Sequence, residues 1–240
     1  MMKDQRLLVV SAHAADYIWR SGGTIAKYVA AGAHVEVVVL SFGVRGESND
    51  LWKKGGQTYD SVKELRKAET VAAAGVLGLE HIEFWDMPDY PIEVTRELED
   101  RLVKKIRETR PDIIISHDKN DVLNPDHNAV GDMVWRCSIY ANSSGVEVPG
   151  LKATRQMKIY GFEPHQTEIS GYVPGTFMDI TDFYEVKVKA MQCFKAQSHL
   201  IEYYTQRAFM RGNHAARLSG KAYKYAESFA NYYPAVVEEL

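Results

Sequence analysis

Cysteine is scarce in this sequence, which argues against two kinds of stabilising framework. Only Cys137 and Cys193 are present, far apart in the chain and without a C-x-x-C spacing. Neither a disulfide-stabilised fold nor a thiolate zinc site is therefore indicated. We expect both thiols to be buried in the hydrophobic core, where unpaired cysteines are commonly found.

The sequence also lacks a charge excess of either sign and a long apolar run. Its 29 Lys and Arg residues nearly balance its 32 Asp and Glu residues, which leaves a net charge of -3. This balance argues against nucleic acid or an anionic membrane surface as a partner. No apolar run is long enough to span a bilayer, and the first residues, MMKDQR, lack the plan of a signal peptide. We therefore expect a cytoplasmic protein that binds neither nucleic acid nor membranes.

What the sequence does contain is an alternation of short apolar strands and amphipathic helices. A strand at Arg6 to Ser11, a helix at Gly22 to Ala31 and a strand at His34 to Leu40 predict a right-handed parallel βαβ unit. Further strands are predicted at residues 82–85, 113–116, 157–162 and 177–180, and further helices at 61–77, 93–109, from 127 or 128 onward and at 182–197. The basic face of this last helix is expected to be solvated. Because no linker or repeat interrupts the chain, we predict a single α/β domain over residues 1–240, with a helical and then irregular tail from about residue 198.

Three metal-binding side chains follow two of these strands. His13 and Asp16 lie in the turn after the first strand, and His127 follows the strand at residues 113–116. Loops after parallel strands share one edge of the sheet, so these side chains are expected to meet there. Two imidazoles and one carboxylate are typical ligands of a zinc ion that keeps a position open, although they also suit other divalent ions. The competing interpretation is that a single His after a strand, as for His117, is a cap or a surface residue.

Two further residues on the same edge are candidates for proton transfer. Glu47 lies in the loop after the second strand, and His165 follows the strand at residues 157–162. An imidazole titrates near neutral pH, so His165 is a candidate general acid and Glu47 a candidate base. The alternatives are a solvated loop glutamate for Glu47 and, for His165, packing behind Pro164.

Arginines near these loops could hold an anionic substrate. Arginine binds carboxylates through two parallel hydrogen bonds. The candidates are Arg45, Arg66, Arg207 and Arg211, each of which could equally be an ordinary surface residue. The remaining histidines, His34, His81 and His199, are interpreted as structural or exposed.

Three motifs resemble those of the LmbE-like, or PIG-L, family of zinc-dependent N-deacetylases. The family motif A-H-P-D-D-E, followed by a Gly-Gly helix start, corresponds to Ala12 to Tyr17 with Gly22-Gly23. The motif H-P-D-H corresponds to Asn124 to His127, and RKAETVAAAGVLG is similar to the family's R-x-x-E-x-x-x-A-A-x-x-L-G helix. The resemblance implies a Rossmann-like, mostly parallel sheet with helices on both faces. It also implies zinc held by His13, Asp16 and His127.

The departures from these motifs indicate a particular branch of the family. Ala15 replaces the Asp that serves as general base in the deacetylases, Tyr17 replaces the following Glu, and Asn124 replaces the first His of H-P-D-H. These changes resemble the hydratase branch, as do the segments SFGVRGES, LWKKG, FEPHQ, TFMDIT and EYYTQRAFMRG.

That resemblance implies addition of water to the C=C bond of 4-oxalomesaconate, an unsaturated oxo-tricarboxylate of gallate degradation, to give 4-carboxy-4-hydroxy-2-oxoadipate. It implies Glu47 and His165 as the acid–base pair and a small anionic oxo-acid as the substrate. We place Asn124 with the arginines as a substrate-binding candidate. The aromatic tail from Tyr223 to Tyr233 favours a homo-oligomer.

Two other functions are compatible with the same residues. One is an N-deacetylase of an N-acetylglucosamine-type conjugate that uses Glu47 in place of the missing Asp. The other is a non-catalytic ligand-binding protein that keeps the metal pocket. The presence of both acid–base candidates and of all three metal ligands argues against the second.

Overall fold

A seven-stranded sheet organises the computed structural model, which describes residues 2–236. Its spatial order is β3-β2-β1-β4-β5-β7-β6, and the neighbouring strands are parallel except that β7 is antiparallel to both β5 and β6. The strands are β1 (Arg6–Ser11), β2 (His34–Ser41), β3 (His81–Met87), β4 (Ile113–His117), β5 (Lys158–Phe162), β6 (Thr176–Asp179) and β7 (Ala226–Asn231).

Seven α-helices of the described chain connect these strands. They are α1 (Asp16–Ala30), α2 (Asn49–Trp52), α3 (Tyr59–Leu77), α4 (Arg96–Thr109), α5 (Pro125–Asn142), α6 (Tyr184–Met191) and α7 (Leu200–Ser219). Local chemistry fixes several of their ends. Thr58 accepts a hydrogen bond from the N–H of Ser61 at the start of α3, and Gly78 ends that helix with a left-handed φ of 71°.

The helices cover both faces of the sheet and create two hydrophobic cores. Alternate residues of a strand point to opposite faces, so Leu7 and Val9 of β1 contribute to one core and Leu8 and Val10 to the other. The first core is completed by α1, α3 and α6, and the second by α4 and α5. The predicted α/β fold, a Rossmann-like and mostly parallel sheet with helices on both faces, is confirmed.

The C-terminal region differs from its prediction. After α7 the chain is not irregular but returns as β7, which lies between β5 and β6. The short segment AESFAN shows no clean alternation because its polar residues are buried, Glu227 being 4% and Ser228 2% exposed. Their hydrogen bonds go to residues distant in sequence, so the strand leaves no local signal.

Two smaller predictions also need correction. The helix predicted at residues 182–197 extends only over α6, and Lys187 on its basic face is 2% exposed because it pairs with Glu227 at 2.6 Å. Of the two thiols, Cys137 is buried but Cys193 is only partly buried. Within residues 2–236, no helix combines the length and the apolar character that a membrane span requires.

Candidate active site

The three predicted metal ligands meet at the carboxyl edge of the sheet. His13 lies in the turn after β1, Asp16 is the first residue of α1, and His127 lies in the first turn of α5, after β4. All three side chains are buried. The Nδ1 atom of His13 is 3.3 Å from Nε2 of His127 and 3.4 Å from Oδ2 of Asp16, and Nε2 of His127 is 3.4 Å from Oδ1 of Asp16.

The 3.3 Å between the two imidazole nitrogens fits a small tetrahedral cation. Ligand atoms bonded at about 2.0–2.1 Å to a tetrahedral zinc ion are about 3.3 Å from one another. Among the described residues, His13, Asp16 and His127 are the group whose ligand atoms lie close enough together to hold a metal ion. We refer to them below as the metal triad.

Two aspartates orient the imidazoles of the triad. Asp121 Oδ2 lies 2.9 Å from Nδ1 of His127, and Asp126 Oδ2 lies 3.1 Å from Nε2 of His13. Carboxylates in this position fix the ring and select the tautomer whose other nitrogen can bind a metal. The sequence indicates Asp126 only as a cap of the helix from His127 or Asn128 onward, whereas the observed cap of α5 is Asn124. It indicates no role for Asp121, although Asp121 lies six residues before His127.

His117, interpreted above as a possible cap or surface residue, is a buried part of the same cluster. Its ring is 2% exposed and stacks on His127 with a centroid distance of 4.0 Å. Burial and the neighbouring His127 hold the pKa of His117 well below its ordinary value. The neutral ring can therefore accept the hydrogen bond that the N–H of Ala12 donates to Nε2 at 3.0 Å.

The electrostatic surroundings of the triad favour a positive charge. Burial alone would lower the pKa of His13, but hydrogen bonds to Asp126 and Asp16 and the charge of Glu47 raise it to about 10. Burial alone would raise the pKa of Asp16, but the charges of His127 and Arg20 hold it well below its ordinary value. Because a metal must displace a proton from His13, its affinity is expected to increase with pH.

A cavity of about 430 Å³ opens above the triad. Asp16 and His127 contribute to its wall, together with the predicted site residues Glu47, Asn124 and His165. The structure thus brings the proposed proton-transfer groups and two of the metal ligands to one cavity. A space of this size can hold a small organic acid.

Glu47 is fixed at the edge of this cavity. Its Oε1 accepts a hydrogen bond from Nδ2 of Asn124 at 2.8 Å and lies 3.8 Å from Nδ1 of His13, and its Oε2 accepts one from Nε2 of Gln197 at 3.0 Å. The loop that carries Glu47 is held by Asp89, whose carboxylate accepts hydrogen bonds from the backbone N–H groups of Arg45 and Gly46. Glu47 is therefore a positioned carboxylate rather than a freely solvated one.

His165 lies in the wall of the same cavity. Its ring stacks on Tyr203 with a centroid distance of 4.3 Å. Burial, and then the positive charges of Arg20 and Arg207, lower the pKa of His165 to about 4. The imidazole is therefore neutral at neutral pH in the ligand-free protein, which differs from the expectation of a group that titrates near neutrality.

The structure does not bring the four predicted arginines to the cavity. Arg66 is fully buried and donates to the carbonyl of Phe42, to Glu69 and to Gln197. Arg211 forms a buried ion pair with Glu163.

Arg207 and Arg45 are likewise engaged elsewhere. Arg207 donates to the carbonyl groups of Pro164 and His165, and Arg45 is exposed, with its backbone N–H bonded to Asp89. None of the four arginines is in the wall of the cavity, and their role as substrate clamps stays a prediction.

The arginine that does line the cavity is Arg20. Its Nη1 donates to Oδ1 of Asp16 at 2.7 Å, and its side chain is buried. Asp16 and Arg20 are four residues apart, which places them on the same face of a helix. The pair is not apparent from the sequence, because the predicted helix begins at Gly22 whereas the observed one begins at Asp16.

Comparison with known proteins assigns this chain to a family. A family model described as GlcNAc-PI de-N-acetylase, PIG-L, matches residues 8–138, more than half of the chain. The chain belongs to the PIG-L family.

Within the PIG-L family, the chain is similar to hydratases over nearly its whole length. It is 41% identical over 237 residues to a 4-oxalmesaconate hydratase of Pseudomonas putida KT2440, a match that covers 97% of this chain and 91% of that protein. It also matches the crystal structure of GalB, the 4-carboxy-2-hydroxymuconate hydratase of Pseudomonas putida KT2440, with a TM-score of 0.93 and 40% identity. That match covers 98% of this chain and 99% of GalB.

The similarity to PIG-L deacetylases is weaker. The chain is 31% identical over 180 residues to a 1D-myo-inositol 2-acetamido-2-deoxy-alpha-D-glucopyranoside deacetylase of Thermobispora bispora, a match that covers 66% of this chain and 59% of that protein. The N,N'-diacetylchitobiose deacetylase of Pyrococcus horikoshii shares the fold, with a TM-score of 0.79 at 21% identity, over 95% of this chain and 83% of that one.

PIG-L enzymes depend on a metal, and the triad of this chain is a possible metal site. The position at which the deacetylase motif of the PIG-L family carries its proton-accepting Asp is occupied by Ala15. This residue is 2% exposed and precedes the first turn of α1. Its methyl group can neither accept nor donate a proton, so proton transfer at this site depends on other groups.

Proposed function

We propose that this protein is a metal-dependent hydratase that adds water to the C=C bond of 4-oxalomesaconate, giving 4-carboxy-4-hydroxy-2-oxoadipate. The observation that carries the proposal is the similarity to the Pseudomonas putida hydratases, which extends over 97% of the chain at 41% identity. The cavity above the triad has a size suited to this substrate. The absence of a proton acceptor at Ala15 argues against the deacetylase route.

We propose zinc as the metal, held by His13, Asp16 and His127. The support is the donor set of two imidazoles and one carboxylate and the 3.3 Å spacing of the two imidazole nitrogens. When bound, such an ion polarises an oxygen atom of the substrate or of water. Asp121 and Asp126 keep the two imidazoles in the orientation that binding requires.

Glu47 and His165 are proposed to move the protons. Glu47 accepts a proton from the attacking water, whose oxygen forms the new C–O bond. Protonated His165 donates a proton to the other carbon of the C=C bond, so that one water molecule is added in total. The carboxylates of the bound substrate offset the charges of Arg20 and Arg207, which lower the pKa of His165 to about 4 in the ligand-free protein, and so favour its protonation in the complex.

A spectrophotometric assay tests this function. Zinc-loaded protein is expected to remove the ultraviolet absorbance of conjugated 4-oxalomesaconate. Glu47→Gln and His165→Ala are expected to lose at least a hundredfold in kcat while their zinc content stays that of the wild type, because general acid and base groups typically contribute about 10²–10⁴ in rate. Full activity of both variants would refute the mechanism, and no turnover by the wild type would refute the function.

Deacetylation is the second candidate, and the PIG-L deacetylase relatives are the observation that favours it. Glu47 would then replace the missing aspartate as the base. The assay is acetate release from N-acetylglucosamine conjugates by the wild type and by Ala15→Asp. A hydratase is expected to release no acetate in either form, whereas activity gained by the variant would support a deacetylase.

A further inference from the structure

A substrate with several carboxylates requires positive partners in the cavity, and the cavity has few. Lys53 and Arg20 are the lysine and arginine side chains in its wall among residues 2–236. Lys53 lies at the mouth, where its side chain is 76% exposed and pairs with Asp50. Arg20 is 7% exposed and therefore provides the fixed positive charge inside the cavity.

Arg20 retains donor capacity after its contacts with the protein. Nη1 donates to Asp16, whereas Nη2 is 3.7 Å from Oδ2 of Asp121, which is an ion pair but too long for a hydrogen bond. Among the described residues, Nε of Arg20 is a buried donor without a hydrogen-bond partner. A buried N–H group that finds no acceptor is destabilising, so such groups commonly serve a ligand.

The preceding residue repeats this pattern. Trp19 is 2% exposed and also lies in the wall of the cavity. Its indole Nε1 is a second buried donor with no partner within the part of the chain that the structure describes. The indole stacks on Tyr204 with a centroid distance of 5.3 Å, which fixes its plane.

We propose that Arg20 and Trp19 form a carboxylate-binding subsite of the cavity, which receives one carboxylate group of the substrate. Each side chain offers one unpartnered N–H donor, that of Arg20 being charged, and a carboxylate has two acceptor oxygens. The inference rests on the proposed function for the identity of the substrate, but the subsite itself requires only a small carboxylate ligand.

The proposed subsite adjoins the metal triad and influences His165. The hydrogen bond to Asp16 ties Arg20 to the metal triad. On the other side, the guanidinium is close enough to His165 to contribute to the lowering of its pKa. A carboxylate bound to Arg20 therefore adds negative charge to the surroundings of Asp16 and His165.

The experiment measures binding of tricarballylate, a saturated tricarboxylate that cannot react, to the zinc-loaded protein by calorimetry. Arg20→Lys keeps the charge but loses the planar fork, and Trp19→Phe removes only the indole N–H. We expect the Kd to rise at least tenfold in Arg20→Lys and at least threefold in Trp19→Phe. In turnover assays KM is expected to rise in parallel with Kd in both variants.

The controls are matched by residue type. Arg155→Lys and Trp135→Phe change an arginine and a tryptophan that lie outside the cavity. The Arg155 side chain is 76% exposed, and Trp135 is 37% exposed. Both are expected to keep the wild-type Kd. Zinc content is measured for every variant, because Arg20 also contacts a metal ligand.

An unchanged Kd in either cavity variant that keeps its zinc overturns the subsite. If Arg20→Lys loses zinc, Trp19→Phe decides alone, because the indole N–H does not hold Asp16. The wild-type protein could bind tricarballylate in an Arg20-dependent manner and yet not hydrate 4-oxalomesaconate. That result would refute the proposed function but support the subsite.

Discussion

At the scale of single residues, a substitution of Asp121 tests how the orientation of His127 affects metal binding while all three metal ligands stay in place. The hydrogen bond between Asp121 Oδ2 and His127 Nδ1 directs Nε2 towards the other two ligands. Replacing Asp121 by Asn keeps the shape but removes the charge that makes the imidazole a stronger ligand. We expect Asp121→Asn to weaken zinc binding about tenfold to a hundredfold, measured by competition with a chelator.

The matched control for this change is Asp100→Asn on the exposed side of α4, where the Asp100 side chain is 58% exposed. This variant is expected to bind zinc as the wild type does. Equal affinities of the Asp121 and Asp100 variants would show that the orientation of His127 does not depend on the carboxylate.

His165 provides a prediction on pH. Its pKa is lowered to about 4 by burial and by the charges of Arg20 and Arg207. A bound tricarboxylate places negative charge beside the ring, which favours the imidazolium, so the pKa must rise on binding. NMR titration of the labelled imidazole is expected to give a higher pKa with saturating tricarballylate than without it. The same pKa in both states would contradict the proposed role of His165 as proton donor.

At the scale of secondary structure, the position of His127 depends on how closely α5 approaches the end of β4. Gly131 lies one turn after His127, and a Cβ atom at this residue would be 2.8 Å from the carbonyl oxygen of His117 and 2.9 Å from that of Asp118. Because both contacts are to backbone, α5 must shift. We expect Gly131→Ala to lower the free energy of unfolding by about 1–3 kcal/mol and to weaken zinc binding, measured by urea unfolding and chelator competition.

Gly75 on α3 is the matched control for Gly131. A Cβ atom there has no neighbour within 4 Å, so Gly75→Ala is expected to stabilise the helix by up to about 1 kcal/mol. A Gly131 variant as stable as the Gly75 variant would mean that α5 can move away from the end of β4 without a loss of folding stability.

The elements also show which parts of the site could be predicted from sequence. The strand at Arg6 to Ser11 was predicted with its observed bounds, and the triad followed from the rule that loops after parallel strands share an edge. Arg20 was missed because Asp16 begins α1 within a motif that also looks like a turn. The direction of a long arginine side chain is set by neighbours distant in sequence, as Phe42 and Gln197 do for Arg66, and no local pattern encodes it.

At the scale of the whole molecule, a buried ion pair near the C-terminal end of the sequence is hydrogen-bonded to α1. Lys187 of α6 donates to Glu227 of β7 at 2.6 Å and to the carbonyl of Trp19 at 2.8 Å. Glu227 also accepts hydrogen bonds from the backbone N–H groups of Gly23 and Thr24 in α1. We expect Lys187→Met to lower the free energy of unfolding by about 3–5 kcal/mol, because it leaves the carboxylate of Glu227 buried without its counter-charge.

Urea unfolding measures this effect, with Lys189→Met as the control. Lys189 lies on the same helix but is exposed. Its substitution is expected to change stability by less than about 0.5 kcal/mol. A similar small change for Lys187→Met would indicate that water reaches Glu227 and replaces the lost charge.

The same network explains why the overall topology was only partly predictable. The parallel order of the first five strands follows from apolar runs separated by helices, which the sequence displays openly. β7 is instead specified by buried polar residues, Glu227 and Ser228, whose partners Lys187 and Glu163 lie elsewhere in the chain. Such a strand can be recognised only when the tertiary structure is known.

The position of β7 between β5 and β6 constrains the order in which the strands can join the sheet. A chain made from its N-terminus can pair β3, β2, β1, β4 and β5, and so complete the metal triad, before residues 226–231 exist. β6 hydrogen-bonds to β7 alone, so it stays outside the sheet until that later strand arrives. The metal ligands of a growing chain can therefore assemble on the ribosome ahead of the last strand of the sheet.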